Sequence, residues 1–535
     1  MSNSNECARL PHRVCVIPLD ARPVCYDLPQ RLLRIAGIEP CLPATNLLGV
    51  LKQPAKASAL KRWMKHHLME GDPLVVALDT LAYGGLIPSR VGLESFESLR
   101  EQVDAFLETL RLDTPITDTR PASPQPKTPE KVRKVLGFSS ILRIPNYNFA
   151  EEEPDYWQQY GQRLYRFSEA LHQAGLDCPG FLSACLPESV RAALPPGLLN
   201  DIPAEVVEDF LQRHRRNFRL NQSFVADWAD NRLETLVFCQ DDTGAYGLNV
   251  LESQWLASQL LGAEKNTSAE RTPQPHSAWV QTGADEVACT LIARLLVDEQ
   301  PLRVYPFYSS LQGSQLQARF DGVPIETVVA QRVHACGALL ADTEAEADLL
   351  LAIHTPESRQ GDHCEGLSAL TQPEQSRVLT DWLAKAQQRG QPVALVDVAY
   401  ANGSDPRLTE QLLTRFTHLD WLYGYAGWNT PGNAIGTALA MGVVRCVAER
   451  HRTFRAREFQ KLLLIRFADD WLYQSDVRYH VRHANYQGQP PAEAQLNALM
   501  ADGLSLLQHR LDLADMRVRC HFPCDRTFEV AIHVP

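Results

Sequence analysis

Two adjacent aspartates, Asp241 and Asp242, end an apolar run in residues 236–247, LVFCQDDTGAYG. A helix N-cap explains one carboxylate at such a position, but not two. Two carboxyl groups flanking a glycosidic bond can hydrolyse it, one as an acid of raised pKa and the other as base or nucleophile. Like charges this close also raise one of the two pKa values. The pair predicts acid–base chemistry in which Asp241 and Asp242 have different roles, one orienting a substrate group and the other donating the proton.

The elements that must position these carboxylates are strands that are continuously apolar rather than alternating. Continuous hydrophobicity is typical of parallel strands covered on both faces by helices. Intervening segments such as residues 95–111 have the 3.6-residue period of an amphipathic helix. The pattern predicts an α/β protein. The predicted strands lie in VCVIPLD, PLVVALD, SSILRIP, GFLSACLP, LVFCQDD, AWVQTGADE, RVYPFYSS, DLLLAIHTP, PVALVDVAY and WLYGYAGW.

Polar and aromatic residues cluster just after these predicted strands. Ligands of open α/β sheets and of (β/α)8 barrels bind at the carboxyl ends of the strands. Aromatic faces combined with carboxylates, amides and arginine are typical of a carbohydrate pocket, in which rings stack on the sugar and polar groups bind its hydroxyls. The predicted substrate-binding residues are Asp20, Arg22, Asp79, Tyr83, Arg90, Arg143, Asn146, Asp285, Glu286, Trp428, Asn429 and Asn433.

Several of these positions also have purely structural interpretations. Asp285 and Glu286 precede an apolar helix and would serve equally well as its cap. The acidic run Glu151–Glu153 is interpreted as the first turn of a helix, where carboxylates are favoured by the helix dipole.

Three functions remain open at this stage. The favoured one is a glycoside hydrolase acting on a sugar, with N-acetylated amino sugars as the narrower prediction. The second is a Mg²⁺-dependent hydrolase or lyase on a small acidic metabolite, because strand-end aspartates are oxygen ligands of the kind Mg²⁺ takes. The third is a non-catalytic sugar-binding or sensor protein. No HExxH or HxH spacing is present, so no metal ligands are assigned and no cofactor is predicted apart from the open Mg²⁺ alternative.

The chain of 535 residues is too long for one ordinary core. We predict a barrel-like, TIM-type β/α domain over residues 1–263, a Rossmann-like α/β domain over 264–452, and a small α+β tail of helices and a hairpin over 453–535. The stretch 112–131 is rich in Pro, Thr and Ser and is predicted to be a mobile loop. No internal repeat is apparent.

Composition excludes several classes of protein. A formal net charge of −12 opposes sequence-independent binding to nucleic acid or to an anionic membrane. The chain has no signal-like segment and no apolar stretch of membrane-spanning length, so a cytoplasmic protein is expected. Several of the 13 cysteines, such as Cys15 and Cys239, lie in apolar runs and are expected to be reduced. A small molecule or oligosaccharide is the expected partner, and the oligomeric state is left open.

Successive blocks of the sequence resemble a bacterial family known as domain of unknown function 4127. The blocks are PLDARPVCYD, LDTLAYGGLIPSR, QDDTGAYG, TGADE, DVAYANGSDP, GYAGWNTPGNAIGTALA and FPCDRTFEV, in this order from about Val14 to the end. The resemblance implies that the strand-end blocks belong to one site, but it implies no particular reaction. The chain departs from the family pattern at Ala21 and Cys25, which weakens a mechanism based on paired aspartates in the first block.

Overall fold

The computed structural model describes residues 10–69, 71–111, 134–183, 185–266, 277–297, 300–483, 492–524 and 526–535. The chain forms two compact units. The six-strand unit comprises Arg13–Ala21 and Cys41–Gln281, and the five-strand unit comprises Met1–His12, Arg22–Pro40 and Thr282–Pro535. The domain boundaries predicted at residues 264 and 453 stay predictions, and the predicted loop 112–131 lies outside the described residues.

The sheet that gives the six-strand unit its name has the order β2-β1-β3-β4-β5-β6. The pairs β1–β3, β3–β4 and β4–β5 are parallel, and the strands are almost wholly buried. Helices α9 and α10 pack against β4 and β5. The strands are β1 (Arg13–Ile17), β2 (Glu39–Cys41), β3 (Leu74–Ala77), β4 (Val135–Ile141), β5 (Thr235–Gln240) and β6 (Ala278–Thr282).

Ten helices accompany these strands in the described residues up to 266. They are α1 (Pro23–Ile35), α2 (Ala57–His67), α3 (Leu78–Ala82), α4 (Leu86–Val91), α5 (Phe96–Arg111), α6 (Trp157–Gln173), α7 (Cys178–Leu182), α8 (Glu188–Ala193), α9 (Ala204–Ala229) and α10 (Leu248–Asn266). Helix α1 belongs to the five-strand unit. A short 3₁₀ turn covers Thr45–Leu47.

The main sheet of the five-strand unit has the order β13-β11-β9-β7-β8, and its neighbouring strands are parallel. Two small pairs accompany it: β10 with β12, and the antiparallel β14 with β15 near the end of the chain. The strands are β7 (Arg303–Tyr308), β8 (Leu339–Leu340), β9 (Leu349–His354), β10 (Gly361–Asp362), β11 (Val393–Asp397), β12 (Tyr400–Ala401), β13 (Gly424–Ala426), β14 (Arg519–His521) and β15 (Ala531–His533).

The described helices of this unit that follow β6 in the chain are α11 (Val287–Leu296), α12 (Leu311–Ser314), α13 (Ile325–Ala335), α14 (Pro373–Gln388), α15 (Pro406–Arg415), α16 (Pro431–Arg450), α17 (Ala456–Arg466), α18 (Arg478–His483) and α19 (Glu493–Arg510). A 3₁₀ turn covers Glu344–Glu346, and a π-helix covers Phe467–Val477 between α17 and α18. In the part of the chain that the structure describes, no helix is long and apolar enough to cross a membrane.

The α/β class with parallel sheets is confirmed, but the TIM-type barrel is not. Five strands of each main sheet follow the doubly wound order 2-1-3-4-5 when the strands of that sheet are counted along the chain. In such sheets ligands bind outside the carboxyl ends of the strands. A barrel and a doubly wound sheet share buried strands alternating with helices, which is why the sequence pattern did not separate them.

One predicted strand is wrong. The segment GFLSACLP begins inside helix α7. The carboxylate of Asp177 accepts a hydrogen bond from the Gly180 amide at 2.8 Å, and Pro179 occupies an early helical position, so the local signals start a helix. The other nine apolar runs contain strands.

The packing of α16 on β13 depends on a glycine. A methyl group added to Gly424 would lie 2.4 Å from the carbonyl oxygen of Ala438, which belongs to the helix backbone. Only glycine allows α16 to lie this close to β13, because moving either backbone would cost substantial free energy.

We expect Gly424→Ala to destabilise the protein by about 1–3 kcal/mol, the usual range for overpacking a core. The matched control is Gly262→Ala in α10, where an added methyl group meets no atom within 4 Å. That variant should be neutral or more stable by up to about 1 kcal/mol, because alanine is the better helix former. Thermal unfolding of both variants measures the difference, and equal midpoints would contradict the close packing.

Candidate functional site

A cluster of two arginines and four carboxyl groups lies beyond the carboxyl ends of β3, β4 and β5. We call it the arginine–carboxylate cluster. Each of these strands is followed by a segment that contributes to it, on the side of the sheet where doubly wound folds bind ligands. Its members are Arg90, Arg143, Glu152, Glu153, Asp241 and Asp242.

Arg90 holds one half of the cluster together. Its guanidinium donates to Asp241 Oδ2 at 2.5 Å and to Glu152 Oε2 at 2.7 Å, and it lies 3.5 Å from Glu153 Oε1. The Arg90 side chain is only 2% exposed. Charge-assisted hydrogen bonds of this length are among the strongest that side chains make. Arg90 therefore fixes Asp241 against the glutamates.

Arg143 holds the other half. It donates to Glu153 Oε1 at 2.9 Å, to Glu152 Oε2 at 2.8 Å and to Asp242 Oδ2 at 2.8 Å. It also donates to the hydroxyl of Tyr147 at 2.8 Å. Asp241 Oδ2 is farther from Arg143, at 3.8 Å. The two adjacent aspartates are thus bound by different arginines.

The backbone explains why neighbouring residues meet different partners. Asp242 has φ +46°, in the left-handed region that aspartate tolerates better than most residues. The following loop is held where α10 begins, because the Leu248 amide donates to Ser168 Oγ at 2.7 Å and Asn249 Nδ2 donates to the Asp242 carbonyl at 3.4 Å. This turn separates the directions of the two carboxylates.

The carboxyl groups of the cluster outnumber its guanidinium groups, four to two. Burial raises the pKa of Asp242 to about 7, with a further contribution from the charge of Asp241. Burial also raises the pKa of Glu153. Burial and Arg143 oppose the charge on Arg90, yet the surrounding carboxylates raise the pKa of its guanidinium. Asp242 therefore retains a proton close to neutral pH.

Other predicted residues of the six-strand unit contact residues that do not belong to the arginine–carboxylate cluster. Asp79 is 1% exposed, accepts a hydrogen bond from the Ser140 amide at 2.9 Å, and has its pKa raised to about 7 by burial. Tyr83 is buried, with the guanidinium of Arg216 5.4 Å from its ring centre. Asp20 is partly buried and Asn146 is exposed.

A groove and a small cavity lie beside the cluster. The cavity, of about 10 Å³, has room for roughly one water and is lined by Arg90, Arg143 and Glu153 together with aromatic rings. The open groove, of about 400 Å³, falls in the size range of ligand sites. Neither Asp241 nor Asp242 lines the groove. The groove and the cavity share Tyr156 and Arg213 as lining residues. The groove is therefore a neighbour of the cluster rather than its centre.

The remaining predicted residues belong to the five-strand unit. Arg22 forms a bidentate pair with Asp285, at 2.6 and 3.2 Å, and Asn429 Nδ2 donates to the same carboxylate at 3.0 Å. Trp428 is only 5% exposed, and its ring lies 5.6 Å from that of Phe528. Asn433 is buried in the first turn of α16.

The predicted residues thus fall into two groups, one in each unit. Whether the groups line one pocket stays a prediction. The six-strand group is Asp20, Asp79, Tyr83, Arg90, Arg143, Asn146, Asp241 and Asp242, and the five-strand group is Arg22, Asp285, Glu286, Trp428, Asn429 and Asn433.

Sequence reasoning missed the role of the acidic run. The first-turn interpretation of Glu151–Glu153 is wrong, because α6 begins only at Trp157. Glu152 and Glu153 instead bridge Arg90 and Arg143. A signal was present: the run follows Arg143 by only eight residues, in a segment with exposed aromatics and no helical period.

In the described ranges of the chain, no group of three or more His, Cys, Asp or Glu side chains is arranged to hold a metal ion. The carboxylates of the cluster face arginine. The Mg²⁺ alternative gains no geometric support from these residues.

Glu286 is part of a buried ion pair. Its Oε1 lies 2.8 Å from Arg332 Nε, and neither side chain is exposed to solvent. Arg332 also donates to the carbonyl of Gly432 at 3.1 Å. Burial raises the pKa of Glu286 to about 7, against the opposing charge of Arg332. Glu286 occupies the N-cap position of α11, but its side chain makes no capping bond.

We expect Arg332→Met to destabilise the protein by about 3–5 kcal/mol, because it leaves a buried carboxylate without its cation. The control is Arg377→Met, since Arg377 pairs with Glu374 on the surface and is 59% exposed. That change should leave the free energy of unfolding nearly unchanged, because exposed ion pairs contribute little to stability. Denaturant unfolding measures the free energy of unfolding of both variants. Similar decreases in the two would contradict the larger contribution expected of the buried pair.

The raised pKa of Asp242 makes a pH-dependent prediction. The carboxyl group of Asp242 has a pKa of about 7 in the folded protein and near 4 in the unfolded chain. Its protonated form therefore stabilises the fold fully below pH 4, and this contribution is lost as pH rises through 7. Asn cannot ionise, so Asp242→Asn should melt several degrees higher than the wild type at pH 8. The gap should close between pH 7 and 4. Melting curves across this range test it, and a variant that melts lower at pH 8 would contradict the prediction.

Comparison with known proteins identifies relatives without an assigned activity. No curated protein and no solved structure matches the chain. Residues 14–533, nearly the whole sequence, match the family described as protein of unknown function (DUF4127). The resemblance of the strand-end blocks is thereby confirmed, and the chain belongs to the DUF4127 family.

Proposed function

We propose that the protein is a carbohydrate-active hydrolase in which Asp242 is the general acid and Asp241 its charged partner. The observation that carries this proposal is the unequal environment of two adjacent carboxyl groups. Environments that push two pKa values apart are the usual arrangement for dividing acid and base roles.

The environments of Asp241 and Asp242 differ in the contacts that each carboxyl group makes. Asp241 accepts a 2.5 Å charge-assisted hydrogen bond from Arg90. Asp242 shares Arg143 with two glutamates, and burial next to Asp241 raises its pKa to about 7. A general acid with a pKa near the working pH combines a large protonated fraction with a useful driving force.

Proton transfer to the leaving group is the step that this geometry supports. Asp242 would donate its proton to the oxygen of the departing group as the glycosidic bond breaks. Asp242 is 26% exposed and Asp241 20% exposed, so neither is sealed from a substrate. Arg90 and Arg143 would stabilise the carboxylate that remains on Asp242 after the transfer.

Exposed aromatic rings beside the cluster favour a sugar. Tyr147 and Phe149 follow Arg143 and are 36% and 53% exposed, and Tyr246 follows Asp242 and is 46% exposed. Rings on a surface normally find apolar or cationic partners. Tyr147 contacts Arg143 through its hydroxyl, while the Tyr246 ring lies 5.2 Å from that of His172. A ring beside arginine and carboxylates is the combination that binds the apolar face and hydroxyls of a sugar. Trp428, also predicted to hold the sugar, is buried and fits this role less well.

The narrower proposal is an N-acetylated amino sugar. In such substrates the acetamido group attacks the anomeric carbon, so the enzyme needs one acid and one carboxylate that orients the amide. Adjacent carboxylates with different directions and different arginine partners suit this division of roles between an acid and an orienting carboxylate. Asp241 would orient the amide, and Asp242 would protonate the leaving group.

A screen of nitrophenyl glycosides with and without an N-acetyl group, each with and without EDTA, first identifies the sugar. We expect Asp242→Asn to lower kcat by about 10²–10⁴-fold on an alkyl glycoside or oligosaccharide of that sugar, because general acid catalysis contributes this much when the leaving oxygen must be protonated. Wild-type kcat should fall as pH rises through about 7, since the acid must be protonated to act. Asp201→Asn is the matched control, because that carboxylate is 83% exposed and pairs only at 3.8 Å with Arg163.

Unchanged turnover in Asp242→Asn would contradict the proposal. Loss of activity in EDTA would favour the Mg²⁺-dependent alternative instead. Saturable sugar binding without turnover, weakened in Asp241→Asn and Asp242→Asn, would identify a binding protein.

A further inference from the structure

Two cysteines lie side by side at the edge of the six-strand sheet. Cys15 is on β1 and Cys41 ends β2, the outermost strand on that side. Both thiols are free, and Cys15 Sγ donates to Asp72 Oδ2 at 3.8 Å. This pair plays no part in the proposed hydrolysis.

The strand register places the two residues opposite each other. In a parallel ladder an amide bonds to the carbonyl one residue before its partner, as the Cys15 amide does with Pro73 next to its partner Leu74. The bond from the Glu39 amide to the His12 carbonyl, continued along both strands, sets Cys41 opposite Cys15. Adjacent strands are about 4.8 Å apart, within the range of Cα separations that a disulfide spans.

An arginine is placed to activate one of the thiols. Arg13 Nη2 donates to Cys41 Sγ at 2.7 Å and to the His67 carbonyl at 2.8 Å, while its Nη1 lies 3.7 Å from Asp72. The hydrogen bond from Cys15 and the charge of Arg13 lower the pKa of Cys41 to about 6. The hydrogen bond with Cys41 and burial raise the pKa of Cys15. One thiol is therefore activated, and its neighbour keeps a proton. An activated thiolate beside a second cysteine is the arrangement of a redox-sensitive pair.

We propose that Cys41 and Cys15 are a peroxide-oxidised thiol pair that closes to a disulfide between β2 and β1. The Cys41 thiolate attacks one oxygen of hydrogen peroxide, the O–O bond breaks, and hydroxide leaves, so that Cys41 becomes a sulfenic acid. The Cys15 sulfur then attacks Cys41, the S–S bond forms, and the S–O bond breaks with release of water. Two thiols are oxidised by two electrons, and the peroxide is reduced to two waters. Cys41 is 7% exposed on an edge strand, the part of a sheet that opens most easily.

The test is peptide mapping of the full chain after treatment with hydrogen peroxide at pH 6.5, with free thiols alkylated under denaturing conditions. We expect a peptide pair joined through Cys15 and Cys41, lighter than the two thiol peptides by two hydrogens and separated by dithiothreitol. Cys289 and Cys336 are the internal control. Both are buried, and burial raises the pKa of each, so they should stay reduced.

Two variants test the roles of Arg13 in activating Cys41 and of Cys15 in closing the disulfide. Arg13→Gln should slow oxidation of Cys41 about threefold at pH 6.5, the effect of raising a thiol pKa from about 6 by one unit. Arg62→Gln, an exposed position on α2, should leave the rate unchanged. In Cys15→Ala, Cys41 should stop at a sulfenic acid that dimedone traps. Because mapping of the wild type needs no variant, a misfolded variant leaves the test intact.

Absence of the Cys15–Cys41 crosslink at peroxide levels that oxidise the exposed Cys185 would overturn the proposal. Disulfides of either cysteine with a third thiol would overturn it equally. The hydrolase proposal is unaffected by either result, because Asp241 and Asp242 are assayed with reduced protein.

Discussion

The structure of the candidate site depends on two arginines that must satisfy four carboxyl groups. Arg90 and Arg143 are almost fully buried and can be placed there only because carboxylates surround them. Asp242 is the member of the cluster with the fewest contacts to arginine. Burial, together with the charge of the adjacent Asp241, raises its pKa to about 7 and makes it a proton donor near neutral pH.

The same strand order produces related geometry in each unit. In both main sheets the fifth strand is followed by a short loop and a long helix, and each loop contains a non-glycine residue in the left-handed region. These residues are Asp242, with φ +46°, and Asn429, with φ +69°. Asn429 bonds to Asp285, whose other partner is Arg22. The five-strand unit thus has its own ion pair of a carboxylate and an arginine, which Asn429 joins.

Much of this fold was predictable, because burial on both faces leaves a continuous apolar signature in a strand. Nine of ten strand runs were predicted correctly, and the strand-end aspartates were found by that rule alone. Strand order was not predictable, since a barrel and an open sheet bury the same pattern. The bridging role of Glu152 and Glu153 was hidden for a different reason. Their arginine partners are 9 to 63 residues away along the chain, and a local pattern favoured a helix start. Trp428 was assigned by residue type, and its burial against Phe528 is a tertiary property.

The most direct test of the account is the titration of Asp242 itself. Carbon-13 NMR of carboxyl-labelled protein follows the side-chain carbon of each aspartate with pH, and the spectrum of Asp242→Asn assigns the signal that disappears. We expect a midpoint near 7 for that signal, well above the value of about 4 for an ordinary aspartate. Arg143→Gln should raise this midpoint further, because a neighbouring positive charge is removed. A midpoint at or below 4 would mean that Asp242 is ionised throughout the neutral range, and its role as a general acid would be excluded.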